Sequence, residues 1–404
     1  MTTRPPVDLS DHETFRDGFP HELFTWLREH EPVWWHEPTA STPDGEGFWV
    51  VSRWEDVRAV QREPVVFSSD RGGIRERGGT AIKDERIAGT MLNQTDGPDH
   101  QRLRSLVSRG FTPRAVAALE ERAQQRVAEL LDRAAAASPS IDFVTGFARQ
   151  LPSDVICDVL GVPPADRPAL LDWLDAGVAE ASGSIVSPEA TSKISAYARQ
   201  LIAAKRANPD AGIMSTIVHA RDDDGSQLSD RELIAFFALL FPAGAETTRS
   251  ALAGAAKAFA DHPAEFERLR RDPDLIAPAV EEIVRWTTPS VYKRRTASRE
   301  TSLAGVSIAA GDKVTIWEMS ANRDERVFVD AFRFDVGRDP NPHVGFGWGL
   351  HFCLGATLAR MEIRITLEAL VERCAGFELA GPHAWTPNNR LFGLQRLPIR
   401  LLPA

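Results

Sequence analysis

The chain has 404 residues, and its apolar content is sufficient for a substantial buried core, which excludes a largely disordered protein. A formal net charge of −10 argues against general attraction to nucleic acid or to anionic lipid. No stretch reaches the roughly 20 apolar residues needed to span a bilayer, and the start lacks a signal-peptide pattern. With only three scattered cysteines, we expect a cytoplasmic protein.

The first predicted elements are short strands, because "EPVWWHE" and "GFWVVSR" in the segment 31–55 are rich in β-branched and aromatic residues. Helix follows in the segment 114–137, where helix-forming residues carry an apolar rhythm of 3.6 residues. A second β-rich segment, 290–317, contains "VYKRRTA" and "GVSIAAGDKVTIW". No internal repeat or low-complexity linker divides the chain, so the sequence predicts a mainly α protein with a minor β portion in a single domain, 1–404.

The longest helical signal begins at a capping box formed by Ser229 and Glu232 and continues to about residue 260. A continuous helix of this length would span about 45 Å at ~1.5 Å per residue. Pro242 removes a backbone donor and Gly244 weakens the same turn, so the pattern predicts a kink or bulge there. A buried helix with a tolerated defect is the alternative interpretation.

The segment 346–355, "FGWGLHFCLG", places Cys353 directly before a helical stretch. The stripe of that stretch consists of Leu354, Leu358, Met361 and Ile365. A thiol at this position faces free N–H groups and the positive end of the helix dipole, which predicts a lowered pKa for Cys353. Gly347, Gly349 and Gly355 leave room for a flat group to approach.

The chemistry of Cys353 has three possible interpretations. A buried small apolar residue is the common fate of an intracellular cysteine. A zinc site would use His343, His351 and Cys353, but closed zinc sites need four ligands and the usual paired spacings do not occur. A single axial thiolate without companion protein ligands is what heme iron requires.

At this point the chain resembles a known family. The form Phe-Gly-x-Gly-x-His-x-Cys-x-Gly is similar to the heme-binding loop of the cytochromes P450, the heme-thiolate monooxygenases. Further segments resemble that family in the same order: "HQRLR" (100–104), "AGAETT" (243–248) and the Glu-x-x-Arg pair of Glu282 and Arg285. The resemblance implies a cytochrome P450 fold in one domain and heme b as the cofactor.

The resemblance also implies roles for individual residues. Cys353 is the expected metal ligand, with Phe346 and Gly355 beside it in the loop. The residues that match the ligands of the heme propionates are His100, Arg104, Arg295 and His351, with Arg294 as the alternative to Arg295. Glu282, Arg285 and Arg333 are expected to form a buried structural charge network.

Glu246 and Thr247 match the acid and alcohol that deliver protons in this family. A threonine in a helix ordinarily bonds the carbonyl four residues earlier, and this alternative remains open. The candidates for a substrate pocket are Phe236, Leu239, Leu240, Ala243, Ser290, Val291, Leu391 and Phe392, together with the loop 81–94. Because most of these are apolar, we expect a substrate of sterol, terpenoid, branched-lipid or polyketide-like character.

The predicted function is the insertion of one oxygen atom from O2 into such a molecule. No Gly-rich dinucleotide motif is visible, so electrons should come from a ferredoxin or flavodoxin with its NAD(P)H reductase. Basic residues that could frame a docking patch are Arg102, Arg109, Arg114, Arg360 and Arg364; a solvated basic face is the alternative. Other possible functions are a peroxide-using or non-oxygenating heme enzyme and, from another class, a heme-based sensor or carrier.

Overall fold

A computed structural model of the chain describes residues 4–85, 88–136, 140–179, 186–210, 212–222 and 224–404. Two residues of the loop 81–94, at positions 86 and 87, therefore lie outside the described residues. The fold is mainly α, as predicted. In chain order the α-helices are α1 (His21–His30), α2 (Trp54–Arg62), α3 (Gly97–Ser108), α4 (Pro113–Ala136), α5 (Gln150–Leu160), α6 (Arg167–Ala179), α7 (Pro188–Ala207), α8 (Ile213–His219), α9 (Asp230–Asp261), α10 (Pro263–Arg271), α11 (Ile276–Thr287), α12 (Glu318–Ala321) and α13 (Ala356–Arg373).

The strands are short and lie in several small sheets. They are β1 (Val33–His36), β2 (Phe48–Val51), β3 (Phe67–Ser68), β4 (Ile141–Asp142), β5 (Tyr292–Ala297), β6 (Thr301–Leu303), β7 (Val306–Ile308), β8 (Lys313–Trp317), β9 (Cys374–Leu379), β10 (Ala384–Trp385), β11 (Leu394–Arg396) and β12 (Pro398–Pro403). The largest sheet within the described ranges has the order β1-β2-β8-β5-β3. Its β2 and β8 run parallel, whereas the β5–β8 pair is antiparallel with Arg295 opposite Val314.

Helix α9 begins with the predicted capping box, which is confirmed. The Ser229 hydroxyl accepts a hydrogen bond from the Glu232 N–H, and Glu232 Oε2 accepts one from the Ser229 N–H at 2.7 Å. The helix then runs unbroken over 32 residues and contains Pro242. The predicted bulge is therefore absent, whereas the predicted kink stays a prediction, because a continuous helix can still bend at an internal proline.

The position of Gly244 explains why this turn contains a glycine. A methyl group added at Gly244 would lie 2.7 Å from Ile156 Cδ1, so the absence of a side chain allows α9 to approach α5 closely. Most of the buried apolar residues form one cluster around α9, which packs against α5, α7, α11 and α13. Helix α13, which follows the cysteine loop, is thereby packed against α9.

Candidate functional site

Backbone hydrogen bonds hold the cysteine loop in one conformation. The N–H of Cys353 donates to the Phe346 carbonyl at 2.9 Å, and the N–H of Gly347 donates to the Val344 carbonyl at 2.8 Å. Gly349 has a φ of +70°, a conformation that favours glycine. An added Cβ at Gly349 would also lie 2.8 Å from the Gln61 carbonyl oxygen, so both space and backbone angle require glycine there.

Cys353 is solvent-accessible and lies just before the first turn of α13. Desolvation by the dense protein around its thiol is the largest influence on its pKa and raises it. The N–H of Gly355 and the cationic side chains of Lys293, Arg104 and Arg360 act in the opposite direction. The pKa of Cys353 in the protein alone is therefore raised rather than lowered as the helix dipole predicted, because the surrounding protein outweighs these groups even though the side chain reaches solvent.

His351 is bonded to residues that the sequence reasoning missed. Its Nε2 lies 3.1 Å from Asp96 Oδ1 and 3.0 Å from Ser69 Oγ. Burial tends to raise the pKa of Asp96, but hydrogen bonds from His351 and Ser68 outweigh it and lower the pKa. The available signal was the sequence Asp-Gly-Pro at 96–98, which is typical of a helix start.

The predicted propionate ligands come together in the structure. The rings of His100 and His351 meet edge to face, with their centroids 4.5 Å apart. Burial is the largest influence on the His100 pKa, and together with the charges of His351 and Arg104 it lowers that pKa to about 4. Electrostatic interaction between Arg104 and Cys353 places these two groups near each other. The four residues thus come from α3, from the cysteine loop and, for Arg295, from β5.

Unsatisfied polar groups in this cluster test whether heme fits. The Nδ1 of His100 is buried without a hydrogen-bond partner among the described residues. Among the described residues, no carboxylate lies within ion-pair distance of Arg104 or Arg295. The Arg295 guanidinium donates there only to the Arg294 carbonyl. Buried donors and cations are costly unless paired, so this cluster suits a group carrying carboxylates. The alternative Arg294 is already bonded to Asp84 at 2.7 Å, which favours Arg295.

The zinc interpretation loses support. His343 Nε2 lies 3.0 Å from Glu281 Oε2 rather than beside Cys353. No group of three or more His, Cys, Asp or Glu side chains suited to a metal ion occurs among the residues that the structure describes.

An apolar stripe of α9 remains partly accessible although the helix crosses the core. The half-buried residues of this stripe are Leu239, Leu240, Ala243 and Thr247. Neighbouring residues of α9, such as Phe241, are buried. Phe236, one turn earlier, is buried beside Leu92 and Leu103 around a small cavity. On the cysteine loop, an added Cβ at Gly355 would meet open space. A partly accessible stripe on a central helix is typical of a wall that lines an internal site.

The side chains of Glu246 and Thr247 on α9 have different surroundings. The Thr247 hydroxyl donates to the Ala243 carbonyl at 2.7 Å, which is the alternative left open by the sequence. Glu246 is buried, and its Oε2 lies 2.6 Å from Arg249 Nη2. Burial raises the pKa of Glu246, although the positive charge of Arg249 lowers it. Glu246 is thus held in an ion pair, while Thr247 belongs to the accessible stripe.

The pocket candidates of the segments 290–291 and 391–392 are joined by backbone hydrogen bonds. Ser290 and Leu391 form a β-bridge, and the Phe392 N–H donates to the Pro289 carbonyl at 2.8 Å. The rings of Phe392 and Trp385 stack with centroids 4.6 Å apart, and Val291 lies in the same apolar cluster. Val291 and Phe392 therefore pack mainly in the protein core, which sequence spacing could not distinguish from a pocket wall.

The predicted buried charge network forms, but Arg338 takes the place predicted for Arg333. Arg285 donates from Nε and Nη2 to the two oxygens of Glu282 at 2.7 Å each, and both side chains are fully buried. The Arg333 side chain is 60% exposed, and only its carbonyl accepts from Arg285. Arg338 instead donates from Nε to Glu282 Oε2 at 3.1 Å. The prediction for Arg333 was therefore wrong; Arg338, five residues later, supplies the second cation.

Several arginines of the predicted docking patch have acidic partners. Arg360 donates to both oxygens of Glu281, at 2.6 and 2.8 Å. Arg364 pairs with Glu120 and Glu368, and Arg102 pairs with Glu232. These pairs reduce the charge available to a partner.

A stack of cation and aromatic rings beside the cysteine loop was missed. The Arg58 guanidinium carbon lies 4.3 Å from the ring centroid of Trp54 and 3.8 Å from that of Trp348. Arg58 has no carboxylate within ion-pair distance among the described residues, and Trp348 is exposed. The spacing of Trp54 and Arg58, four apart on α2, was the available signal. The exposed ring of Trp348 lies five residues before Cys353 in the sequence, so the Arg58 stack lies on the surface of the cysteine loop.

Comparisons with known proteins agree with this geometry. A family model described as Cytochrome P450 matches residues 186–402. A Mycobacterium tuberculosis protein whose name places it as cytochrome P450 126 is 47% identical over 403 residues, which cover 98% of this chain and 97% of the relative. A methyl-branched lipid omega-hydroxylase of the same organism is 38% identical, covering 95% of this chain and 90% of the relative.

Solved structures show the same architecture. Mycobacterium marinum cytochrome P450 CYP268A2 in complex with pseudoionone superposes with a TM-score of 0.88 at 33% identity, over 99% of this chain and 100% of that one. The Bacillus subtilis cytochrome P450 PksS of bacillaene polyketide synthase has a TM-score of 0.87 at 32% identity, with 99% and 100% coverage. Within the described ranges, no helix combines the length and hydrophobicity required for a bilayer crossing.

Proposed function

Because this chain belongs to the cytochrome P450 family of monooxygenases, we propose that it oxidises an apolar small molecule of lipid, terpenoid or sterol type, using O2 and a separate electron donor in the bacterial cytoplasm. The names of relatives support this substrate class, since one is a methyl-branched lipid omega-hydroxylase and another a steroid C26-monooxygenase. The half-buried apolar stripe of α9 supports it independently.

The observation that carries the proposal is the set of unpaired donors around Cys353. Cys353 would hold the heme iron, and His100, Arg104, Arg295 and His351 would bind the two propionates of heme b. Bound heme supplies the redox chemistry that activates O2 and transfers one oxygen atom to the substrate.

Phe346 and Gly355 would contribute to heme binding through the conformation of the cysteine loop. The Phe346 carbonyl fixes the Cys353 N–H, and the missing side chain at Gly355 leaves the loop surface open. The backbone of Cys353 is thereby held in place, with open space beside it at Gly355.

Glu246 and Thr247 would deliver protons from adjacent positions of α9, which lie about 100° apart around the helix axis. The buried carboxyl of Glu246 exchanges protons with its surroundings, where Arg249, Arg149 and Asp175 act on its pKa. The Thr247 hydroxyl, on the accessible stripe, would turn from the Ala243 carbonyl and hold a proton at its Oγ1 for delivery into the proposed site. Neighbouring positions on one helix keep the acid and the alcohol within one turn of each other.

Thr247→Ala tests this proton delivery. We expect the yield of product per NAD(P)H to fall at least about 10-fold, with peroxide released instead, because a positioned proton donor contributes about 10²- to 10⁴-fold to rate. The measurement is product and peroxide per NAD(P)H in a ferredoxin-supported reaction. Thr247→Ser keeps the hydroxyl and should stay coupled; a fully coupled alanine variant would rule out the role of Thr247.

The partner proposed to supply electrons is a ferredoxin or flavodoxin that contacts the Arg58 stack. Arg58→Gln should raise the KM for ferredoxin about 3- to 10-fold at low salt and weaken its salt dependence, because an unpaired cation there is free to meet an acidic partner. Arg364→Gln is the matched control, since Glu120 and Glu368 already neutralise Arg364. Equal effects of the two substitutions would remove Arg58 from the docking surface.

The overall test of function is product formation from a panel of branched lipids, sterols and terpenoids. Substrates are first found as ligands that displace water from the iron, which changes its spin state. NAD(P)H-driven product with a ferredoxin system identifies a monooxygenase, product with peroxide alone identifies a peroxygenase, and ligand binding without product identifies a sensor or carrier.

A further inference from the structure

Arg390 is a buried cation that lies beside the residue preceding β5. Its carbonyl accepts a hydrogen bond from the Val291 N–H at 3.0 Å, next to the bridge between Ser290 and Leu391. Only 8% of Arg390 is exposed. The residue thus lies beside Ser290 and Leu391, two pocket candidates from segments that are distant in sequence.

The guanidinium of Arg390 has a single polar contact among the described residues. Its Nη2 donates to the Thr80 hydroxyl oxygen at 2.7 Å, and no carboxylate of the described chain lies within ion-pair distance. Thr80 is buried as well, and its hydroxyl donates to no acceptor among the described residues. The side chains of Arg390 and Thr80 therefore keep N–H and O–H donors that have no acceptor among the described residues.

The acidic residues near Thr80 are already paired. Asp84 is bonded to Arg294 and Arg75, at 2.7 Å each. Glu85 accepts from the amide of Gln94. The loop that carries Thr80 therefore offers Arg390 no free carboxylate among its described residues.

A buried arginine keeps its charge because its pKa is too high to allow loss of the proton. Such a charge is costly unless an anion pairs with it. The fork of the guanidinium matches a carboxylate, which it can bind through two parallel N–H groups. The Thr80 hydroxyl, which accepts from Arg390, can donate its own proton to the same anion.

We propose that Arg390 and Thr80 form a subsite for a carboxylate, so that the substrate is an amphipathic acid whose apolar body lies along the α9 stripe. This inference rests on the proposed function, because it concerns the substrate of that same site. It narrows the substrate class from apolar molecules in general to those with an acid group, such as a fatty acid.

The test compares ligands that differ only in the acid group. Dodecanoic acid, methyl dodecanoate and 1-dodecanol are titrated into the heme-loaded protein by calorimetry, with the Soret shift as a second readout. The wild type should bind the acid at least about 10-fold more tightly than the ester or the alcohol, as expected for a charge-assisted hydrogen bond. Equal affinity for all three would overturn the proposal.

Variants assign the preference to the two residues. Arg390→Gln should weaken acid binding about 10- to 100-fold and leave ester binding unchanged, and Thr80→Val should weaken acid binding by a smaller factor. Arg333→Gln, which changes an exposed guanidinium, is the control and should bind the acid normally. Thermal melting of each variant separates loss of binding from loss of folding.

Two outcomes distinguish this inference from its premises. If Arg390→Gln lowers the heme content while acid binding per heme is unchanged, Arg390 pairs with a heme propionate and the subsite is wrong. If the wild type binds the acid selectively but forms no product with NAD(P)H and ferredoxin, the monooxygenase proposal fails and the subsite stands.

Discussion

Cys353→Ala is expected to abolish the thiolate-type Soret band of the reduced, carbon-monoxide-bound protein and to eliminate NAD(P)H-driven product formation. The physical reason is that no other cysteine lies in the loop, so the variant has no thiolate to ligate the iron. The measurement is the difference spectrum of both proteins after expression with added heme.

Cys157→Ala is the matched control for the cysteine substitution. Cys157 is fully buried in α5 within the apolar core, whereas Cys353 is solvent-accessible, so Cys157 is not expected to ligate iron. This variant should keep the thiolate-type band. A band that persists in Cys353→Ala, or a histidine-type band in the wild type, would show that Cys353 is not the axial ligand.

Arg285→Met should prevent accumulation of the folded, heme-loaded protein. The substitution leaves the fully buried carboxylate of Glu282 without its main partner, and breaking a buried pair in this way costs about 3–5 kcal/mol of unfolding free energy. It also removes donors from the carbonyls of Asn322 and Ala331, which Arg285 ties to α11. The measurement is the yield of soluble protein and its urea midpoint.

Arg333 and Arg338 provide the graded comparison. Arg338→Met removes the second cation from Glu282 and should cost an intermediate amount. Arg333→Met should change the unfolding free energy by no more than about 0.5 kcal/mol, because its side chain is exposed. A large loss in Arg333→Met with a stable Arg338→Met would contradict the network seen in the structure.

The sequence predicted features that depend on short, local patterns. The family, the mainly α fold and the class of enzyme were predicted from the cysteine loop and its companion motifs, and the comparisons confirm them. The capping box at Ser229 was predictable for the same reason, since both of its partners lie within one turn. The roles of Cys353, Glu246 and Thr247 remain predictions.

Features that depend on packing were beyond the sequence. The choice between Arg333 and Arg338 depends on the path of an irregular segment, which no periodicity encodes. The direction of the Cys353 pKa shift depends on how densely the protein surrounds the thiol. The partner of His351 is Asp96, 255 residues away in the chain, so only the folded structure brings the two together.

The close approach of α9 to α5 has a practical meaning for redesign of substrate preference. Ala243 and Gly244 are adjacent in sequence, yet Ala243 belongs to the half-buried stripe while Gly244 lies against Ile156. We therefore expect that varying the side-chain volume at position 243 alters the proposed substrate pocket, whereas position 244 sets the distance between α9 and α5. A mutagenesis library for altered selectivity should randomise the first position and keep the second fixed.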